Sequence, residues 1–240
     1  IDSDGYPTMA AHPGGAPANF LAAIAKFGGK AALLGKVGTD TFGKLLTDTL
    51  RKAGIEMKGL VASDKVFTTL AFVTLDENGD REFAFARMPG ADTQLTFDEL
   101  DLSLIDETRV FHFGTLSLTD EPARSTTYRA VEYAKAHGKL VTYDPNLRKP
   151  LWRSLDEAKE QMLWGLRQAD VVKISDEEVE FLFGLGVQDG AQYILDHYPV
   201  KLVFVTCGAD GCWFQNCSAS GHVDSLKGIT VVDTTGAGDI

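Results

Sequence analysis

The sequence predicts an α/β protein with a mostly parallel central sheet that helices cover on both faces. From about residue 95 onward, short apolar runs rich in Val, Ile and Phe alternate with helical segments. This alternation favours parallel strands joined by helical crossovers. The length of 240 residues and the apolar fraction of 44% fit one sizeable core in a single domain. Ligand sites in such sheets lie beyond the carboxyl ends of the strands.

The first third of the chain combines helices with a β-rich insertion. A helical pattern begins at Pro17, a strand is predicted over residues 31–37, and a helix is predicted over residues 41–53. Residues 67–75 and 81–87 are rich in β-formers and flank a polar turn, which is typical of a hairpin. A hairpin inserted between βα units predicts a lid.

The remaining elements follow the βα alternation in order. Each predicted strand is a short apolar run, and each predicted helix has apolar residues at helical spacing. The strands are predicted over residues 109–114, 139–143, 171–174 and 201–206, and the helices over residues 121–137, 155–168, 178–183 and 191–198.

Composition narrows the function classes. The formal charge of -11, with no stretch that concentrates Lys and Arg, argues against a nucleic-acid or anionic-membrane surface. No apolar run approaches the roughly 18 residues of a membrane span, and the amino terminus lacks a signal-peptide pattern, so the predicted location is the cytoplasm. Three cysteines without a CxxC pair suggest neither a disulfide framework nor a zinc site.

The carboxy-terminal residues indicate an apolar strand, a glycine turn and the start of a helix. Gly236, Ala237 and Gly238 leave backbone N–H groups unpaired, and such groups form a cradle for an anion. The carboxylate of Asp239 would repel phosphate but could take a proton from a hydroxyl that attacks it. The pattern therefore predicts a phosphoryl-transfer site. The alternative is an ordinary glycine turn with a surface aspartate.

Two further candidates come from the amino-terminal half. Gly14 and Gly15 precede the first helix and permit a turn in which backbone amides and Asn19 approach a ligand. Their alternative role is a turn alone. Arg87, at the end of the second hairpin strand, could reach a substrate oxygen, and its alternative is a solvated arginine on an edge strand.

Polar residues also follow the predicted strands of the sheet, where ligands are expected. Each has a plain structural alternative: an ion pair for the arginine, a helix start for the acidic segment, and a hairpin for the glycine-containing turn. The candidates are Arg148 after residues 139–143, Ser175 and Glu178 after residues 171–174, and Thr206, Gly208 and Gly211 at the end of residues 201–206.

Two strings resemble signatures of one family. DTTGAGD is similar to the carboxy-terminal signature of the ribokinase (pfkB) family of sugar and nucleoside kinases, and GGAPAN, FGG and LLGKVGTDTFG resemble its amino-terminal signature. The resemblance implies a ribokinase-like three-layer sandwich with a small β lid, whose strands are expected within about residues 1–13 and 58–90. Family members extend further in both directions, so we expect the sequence to be truncated at both ends.

The resemblance also implies roles at the catalytic turn and the sugar site. The amides of Gly236, Ala237 and Gly238 would form the anion hole, and Asp239 would be the general base. The sugar contacts would come from Gly14, Gly15, Asn19, Arg87 and Arg148, the last of which lies near substrate or phosphate in the family.

For the nucleotide and the metals, the resemblance implies a second set of residues. ATP would lie on the turn that contains Thr206, Gly208 and Gly211. Glu178 would act on Mg²⁺ through water. Ser175, which stands where the family usually has Asn, would contribute to binding of the nucleotide. Asp233 and Thr235 would bind a monovalent cation such as K⁺.

The strings PGGAPAN, TTLAFVTL, HFGTLSL, YDPNLR and KISDEE look most like those of bacterial fructokinases. The resemblance therefore implies ATP-dependent phosphorylation of a sugar primary hydroxyl, namely that of fructose at carbon 6, and a homodimer formed through the β lid. Two alternatives stay open at this point. One is 2-keto-3-deoxygluconate kinase or another sugar kinase of the family, and the other is a sugar-binding regulator that keeps the fold without the chemistry.

Overall fold

Helices and strands alternate along the chain in the computed structural model, which describes residues 5–6, 8–75, 81–228 and 236–239. The helices are α1 (Ala16–Lys26), α2 (Thr41–Lys52), α3 (Leu102–Glu107), α4 (Ala123–Ala136), α5 (Leu155–Gln168), α6 (Asp176–Phe183) and α7 (Val187–His197). The strands are β1 (Gly35–Gly38), β2 (Leu60–Ser63), β3 (Leu70–Leu75), β4 (Arg81–Ala86), β5 (Val110–Gly114), β6 (Leu140–Asp144), β7 (Val171–Ser175), β8 (Leu202–Thr206), β9 (Cys212–Asn216) and β10 (Ser220–Val223).

The central sheet has the strand order β10–β9–β8–β7–β6–β5. Strands β5 to β8 are parallel, whereas β9 and β10 run antiparallel at one edge, so the predicted mostly parallel sheet is confirmed. In register, Gly114 pairs with Asp144 and Ser175 pairs with Thr206. The carboxyl ends of all four parallel strands therefore lie along one edge of the sheet.

The two faces of this sheet are covered unequally. In β7 and β8, Val172, Ile174, Val203 and Val205 are fully buried beneath a helical layer, and the residues between them are only half-buried. On the less buried face, α1 contacts β5 and has no fully buried residue of its own. The expected cover by helices on both faces is thus complete on one face only, within the described residues. The half-covered face lines a cleft.

The close fit of one helix on the sheet depends on a glycine. Gly165 of α5 lies against the buried ring of Tyr143 in β6, and a β-carbon at residue 165 would come within 2.2 Å of that ring. A larger residue would push α5 away from the sheet, because protein interiors have almost no free volume. The predicted bounds of this helix, residues 155–168, are confirmed.

The lid is an antiparallel hairpin of β3 and β4, in which Leu70 pairs with Ala86. Its predicted turn, residues 76–80, lies outside the described residues. Strand β2 pairs with β1 in a separate parallel pair rather than with the hairpin. Within residues 5–6 and 8–13 the structure has no strand, so the lid strands expected in the first 13 residues are not found there.

A hydrogen-bond network at the base of the lid explains the residues of the string VGTDTFG, which covers residues 37–43. Asp40 Oδ1 accepts hydrogen bonds from the backbone N–H groups of Phe42 and Gly43 and so caps α2. Its other oxygen, Oδ2, accepts from the backbone N–H of Thr68 at 2.8 Å. Gly38 donates in turn to Thr68 Oγ1. The network joins the β1–α2 turn to the segment that enters the lid.

Several element bounds differ from the prediction. The strand expected over residues 31–37 begins at Gly35, and the helix expected over residues 121–137 begins at Ala123. The helix expected over residues 191–198 begins earlier, at Val187. In the ranges that the structure describes, no helix has the length and apolar character needed to cross a bilayer.

Candidate active site

A cleft of about 3080 Å³ opens above the carboxyl ends of the parallel strands, between α1 and the lid hairpin. Most residues that the sequence predicts for substrate, nucleotide or metal line this one cleft, although they are distributed over the whole chain. They are Gly14, Gly15, Asn19, Arg87, Arg148, Ser175, Glu178, Thr206, Gly208, Gly236, Gly238 and Asp239.

The carboxylate of Asp239 is held on both of its oxygens. Asn19 Nδ2, on α1, donates to Asp239 Oδ2 at 2.8 Å, and Asn146 Nδ2 donates to Asp239 Oδ1 at 3.3 Å. Gly236, at the start of the turn, has a φ of 77°, and a β-carbon there would lie 2.9 Å from Asn19 Nδ2. Only glycine meets both conditions without strain. Asn19 and Asp239, which are 220 residues apart in the sequence, are thus in direct contact.

Asn146 is a site residue that the sequence analysis did not assign. It follows β6 and has a φ of 48°, a left-handed conformation in which asparagine is one of the best tolerated residues after glycine. The same loop is fixed by Thr115, whose backbone N–H and hydroxyl both donate to Pro145 O. The string YDPNLR contains Asn146, but nothing in its pattern shows that the chain bends back toward Asp239.

An ion pair lies beneath the glycine turn. Lys173 Nζ of β7 is 3.2 Å from Asp144 Oδ2 at the end of β6. The same Nζ is 3.7 Å from the position that a β-carbon at residue 238 would take, so it lies directly against Gly238. Asp144 Oδ1 is buried and has no hydrogen-bond partner among the described residues. Lys173 is therefore the group that compensates this carboxylate.

Two titratable groups in this region have displaced pKa values. Burial raises the pKa of Asp144 to about 6, although the charge of Lys173 opposes the shift. Burial and the nearby charge of Lys173 lower the pKa of His112 to about 4. His112 lies on β5, where its ring stacks on Phe20 of α1 at 4.4 Å, and its Nδ1 is 2.8 Å from Thr142 Oγ1.

Ser175 and Glu178 form a reciprocal cap at the start of α6. Ser175 Oγ accepts from the backbone N–H of Glu178, and Glu178 Oε2 accepts from the backbone N–H of Ser175. Glu178 Oε1 also accepts from the backbone N–H of Leu147 at 2.6 Å, which ties α6 to the loop that carries Asn146. Serine and asparagine are both strongly favoured N-cap residues, so Ser175 provides a good helix start where the resemblance leads one to expect asparagine.

The site contains few direct metal ligands. No group of three or more His, Cys, Asp or Glu side chains gathers into a possible metal site within the described part of the chain. A Mg²⁺ ion at Glu178 would therefore take most of its ligands from water and phosphate, which is how this ion is usually bound. The carboxylate of Glu178 fits that arrangement because it lines the cleft while backbone amides fix its position. Asp233 and Thr235 lie outside the described residues.

Arg87 is buried, not a solvated arginine on an edge strand, so that alternative is wrong. Its Nε donates to Asp92 Oδ2, its Nη1 to Thr119 Oγ1 and its Nη2 to Leu116 O, all within 2.8 Å. These contacts tie the end of β4 to the segment after β5. Arg148 is half-buried at the cleft wall, and its Nη1 donates to Leu147 O at 3.2 Å.

The turn after β8 is a hairpin into β9, as one of the alternatives expected. Thr206 pairs with Cys212, and the backbone N–H of Cys207 donates to Gly211 O. Thr206 and Gly208 line the cleft, but Gly211 does not. Gly211 has a φ of 100°, and a β-carbon there would lie 2.1 Å from Val223 O, so the hairpin itself requires this glycine. Its contact with ATP stays a prediction.

Comparison with known proteins agrees with this geometry. The model of a family described as pfkB family carbohydrate kinase matches residues 5–240. The chain belongs to this family. It is 47% identical over 234 residues to fructokinase-1 of Zea mays, a match that covers 97% of this chain and 72% of the maize protein.

Two solved structures are similar over most of the chain. Fructokinase from Vibrio cholerae O395, in a form with fructose, ADP and calcium bound, has a TM-score of 0.87 and 33% identity, covering 100% of this chain and 76% of that one. Fructokinase from Xylella fastidiosa with bound ATP also has a TM-score of 0.87 and 33% identity. That match covers 94% of this chain and 70% of the Xylella chain. The ribokinase-like fold expected from the sequence is confirmed.

The displaced pKa values of His112 and Asp144 predict opposite effects of pH on stability. The pKa of His112 falls from 6.5 to about 4 on folding, so its contribution is lost as the pH falls through this window. The pKa of Asp144 rises from 3.8 to about 6, so its contribution is present at acid pH and is lost as the pH rises toward 6. The two effects therefore oppose each other in the wild-type protein.

The free energy of unfolding, measured with urea at pH 4, 5 and 6, separates these opposing effects in single variants. Relative to wild type, His112→Gln should lose free energy of unfolding as the pH rises from 4 to 6, and Asp144→Asn should gain it, each by up to about 3 kcal/mol. Exposed His222→Gln is the control and should follow the wild-type profile. Parallel pH profiles for all four proteins would contradict the assignment.

Proposed function

We propose that this pfkB-family carbohydrate kinase transfers the terminal phosphoryl group of ATP to the carbon-6 hydroxyl of fructose. The observation that carries the proposal is the carboxylate of Asp239, which two amides hold beside a glycine turn at the cleft. The identity of 47% to the maize fructokinase supports fructose as the sugar. The fructose, ADP and ATP bound in the similar bacterial fructokinases support both substrates.

The chemistry follows from the position of each group. Asp239 takes the proton of the sugar hydroxyl as its oxygen attacks the terminal phosphorus and the bond from phosphorus to the ADP oxygen breaks. Backbone N–H groups of residues 236–238 stabilise the charge on the phosphoryl oxygens. Asn19 and Asn146 aim the carboxylate without neutralising it, since each amide donates a hydrogen bond but no proton.

The remaining predicted residues surround these reacting groups. Gly14, Gly15, Asn19 and Arg87 are proposed to position the sugar, with Arg148 near sugar or phosphate, and Thr206 and Gly208 are proposed to support the nucleotide. Mg²⁺, when bound near Glu178 through water, would neutralise phosphate charge. Binding of K⁺ at Asp233 and Thr235, and a cytoplasmic location, stay predictions from the sequence.

A comparison of kcat/KM for two sugars tests whether fructose is the substrate. In a coupled assay with ATP and Mg²⁺, fructose should give kcat/KM at least about tenfold higher than 2-keto-3-deoxygluconate. A sugar carboxylate needs a cation of its own, whereas Arg87, proposed for the sugar site, already donates to Asp92 and Thr119. Preference for the acidic sugar would contradict the assignment of fructose. Binding of fructose without any turnover of ATP would favour the regulatory alternative.

The role of Asp239 has its own test. Asp239→Asn should lower kcat by about two to four orders of magnitude with little change in fructose affinity, because the amide keeps the shape but cannot accept the proton. Asp224→Asn, which changes an exposed carboxylate outside the cleft, is the matched control and should leave kcat unchanged. Near-normal turnover by the Asp239 variant would show that Asp239 is not the general base.

We propose in addition that the lid hairpin contacts a second copy of the chain. Phe72 and Val73 of β3 are 38% and 44% exposed, and a two-stranded hairpin has little apolar surface of its own to pack on. Light scattering after gel filtration should give twice the chain mass of 26.0 kDa. Val73→Glu should shift this value toward the monomer, and a monomeric wild-type protein would contradict the dimer.

A further inference from the structure

Lys173 is an unexpected residue at its position in the sheet. Its neighbours in β7, Val172 and Ile174, are fully buried on the helix-covered face, so strand alternation directs Lys173 to the cleft. Strand propensity alone would accept an apolar residue there, so the contacts of the lysine must explain its presence. A lysine ammonium is costly to remove from water, and here the side chain is only 28% exposed. The cost suggests that the charge has a use in the cleft.

The position of the ammonium group indicates that use. Lys173 Nζ lies against Gly238 of the glycine turn, and its direct carboxylate partner is Asp144. An ammonium group has three N–H donors, so a single bond to Asp144 leaves donors for another acceptor. The cleft edge of the sheet thus presents a cation next to the backbone amides that form the proposed anion hole.

Two other cations of the cleft wall, Arg87 and Lys36, already have partners within the protein. Arg87 donates to Asp92, Thr119 and Leu116, as described above. Lys36 donates to Glu99 Oε1 and to the carbonyl oxygen of Gln94. A nucleotide triphosphate must nevertheless enter a protein with a net charge of -11, and it must approach the carboxylate of Asp239. A cation at the glycine turn offsets that repulsion where it is strongest.

We propose that Lys173 is a catalytic residue that binds an oxygen of the terminal phosphate of ATP and stabilises the phosphoryl group during transfer. Asp144 is the positioning residue that holds Nζ against the glycine turn. Lys173 neither gives nor takes a proton in this step. The inference rests on the phosphoryl transfer proposed above, but it concerns the nucleotide and not the identity of the sugar.

The terminal phosphate distinguishes this role from a structural one. By calorimetry with Mg²⁺ present, Lys173→Met should bind AMP-PNP about 10-fold to 100-fold more weakly than wild type, because a charge-assisted hydrogen bond is lost. Its affinity for ADP, which lacks that phosphate, should change less than about threefold. With fructose as acceptor, kcat should fall by about 10² to 10³, as for loss of one oxyanion donor. Lys173→Arg should recover part of both losses.

Lys201 provides the matched control. Its Nζ pairs with Asp170 Oδ1 at 2.7 Å, next to the amino end of β8 and therefore at the opposite edge of the same sheet. Lys201→Met removes the lysine of a second, more exposed Lys–Asp pair without reaching the cleft. It should leave the affinities for AMP-PNP and ADP, and kcat, unchanged.

The variants also cover the case in which Lys173→Met does not fold because Asp144 is left buried and uncompensated. Lys173→Met combined with Asp144→Asn removes both charges and should show the same selective loss of AMP-PNP affinity. Equal losses for AMP-PNP and ADP, or no loss for either, would overturn the inference. Failure of the wild-type protein to phosphorylate fructose would overturn the proposed sugar alone, because the nucleotide comparison would still decide the role of Lys173.

Discussion

The site depends on the position of one carboxylate, that of Asp239. Residues from distant parts of the sequence hold it in place. Asp239 follows the glycine turn, Asn19 belongs to α1 and Asn146 follows β6, and all three meet at the carboxyl edge of the sheet. Parallel pairing of β5 to β8 brings the end of β6, and with it Asn146, to this edge, and α1 reaches it by packing against β5. Two hydrogen bonds to the carboxylate fix its direction without transferring a proton to it, which suits proton abstraction from a hydroxyl.

Each acidic side chain near Asp239 is held by its own partner. Asp144 and Glu178 add negative charge nearby, yet backbone amides hold Glu178 and one lysine holds Asp144. The acidic groups are thereby kept apart and fixed before any substrate arrives. Groups fixed in this way need not rearrange during the reaction. The capping contact from Glu178 to Leu147 also ties the acidic helix start to the loop that carries Asn146.

Much of the fold was predictable because its signals are local. The bounds of α5 and the parallel sheet follow from periodicity and from the alternation of apolar runs with helices. The roles of Asn146 and Lys173 were not predictable, since each depends on contacts between strand ends that sequence spacing does not reveal. Arg87 likewise depends on contacts between distant segments. The sequence allows a solvated arginine at the end of a strand, but in the structure the segment after β5 buries it. The reciprocal cap of Ser175 explains how a residue that departs from the family pattern can still fit its position.

The central claim is that Asn19 and Asp239 act as one unit, and a double-mutant cycle on kcat at saturating fructose and ATP tests it most directly. Asn19→Ala, Asp239→Asn and the double variant would be compared with wild type. Because the asparagine acts on turnover through the carboxylate, the double variant should be no slower than Asp239→Asn alone, within about threefold. Losses that multiply, so that the double variant is slower by the full product of the two single effects, would contradict the account.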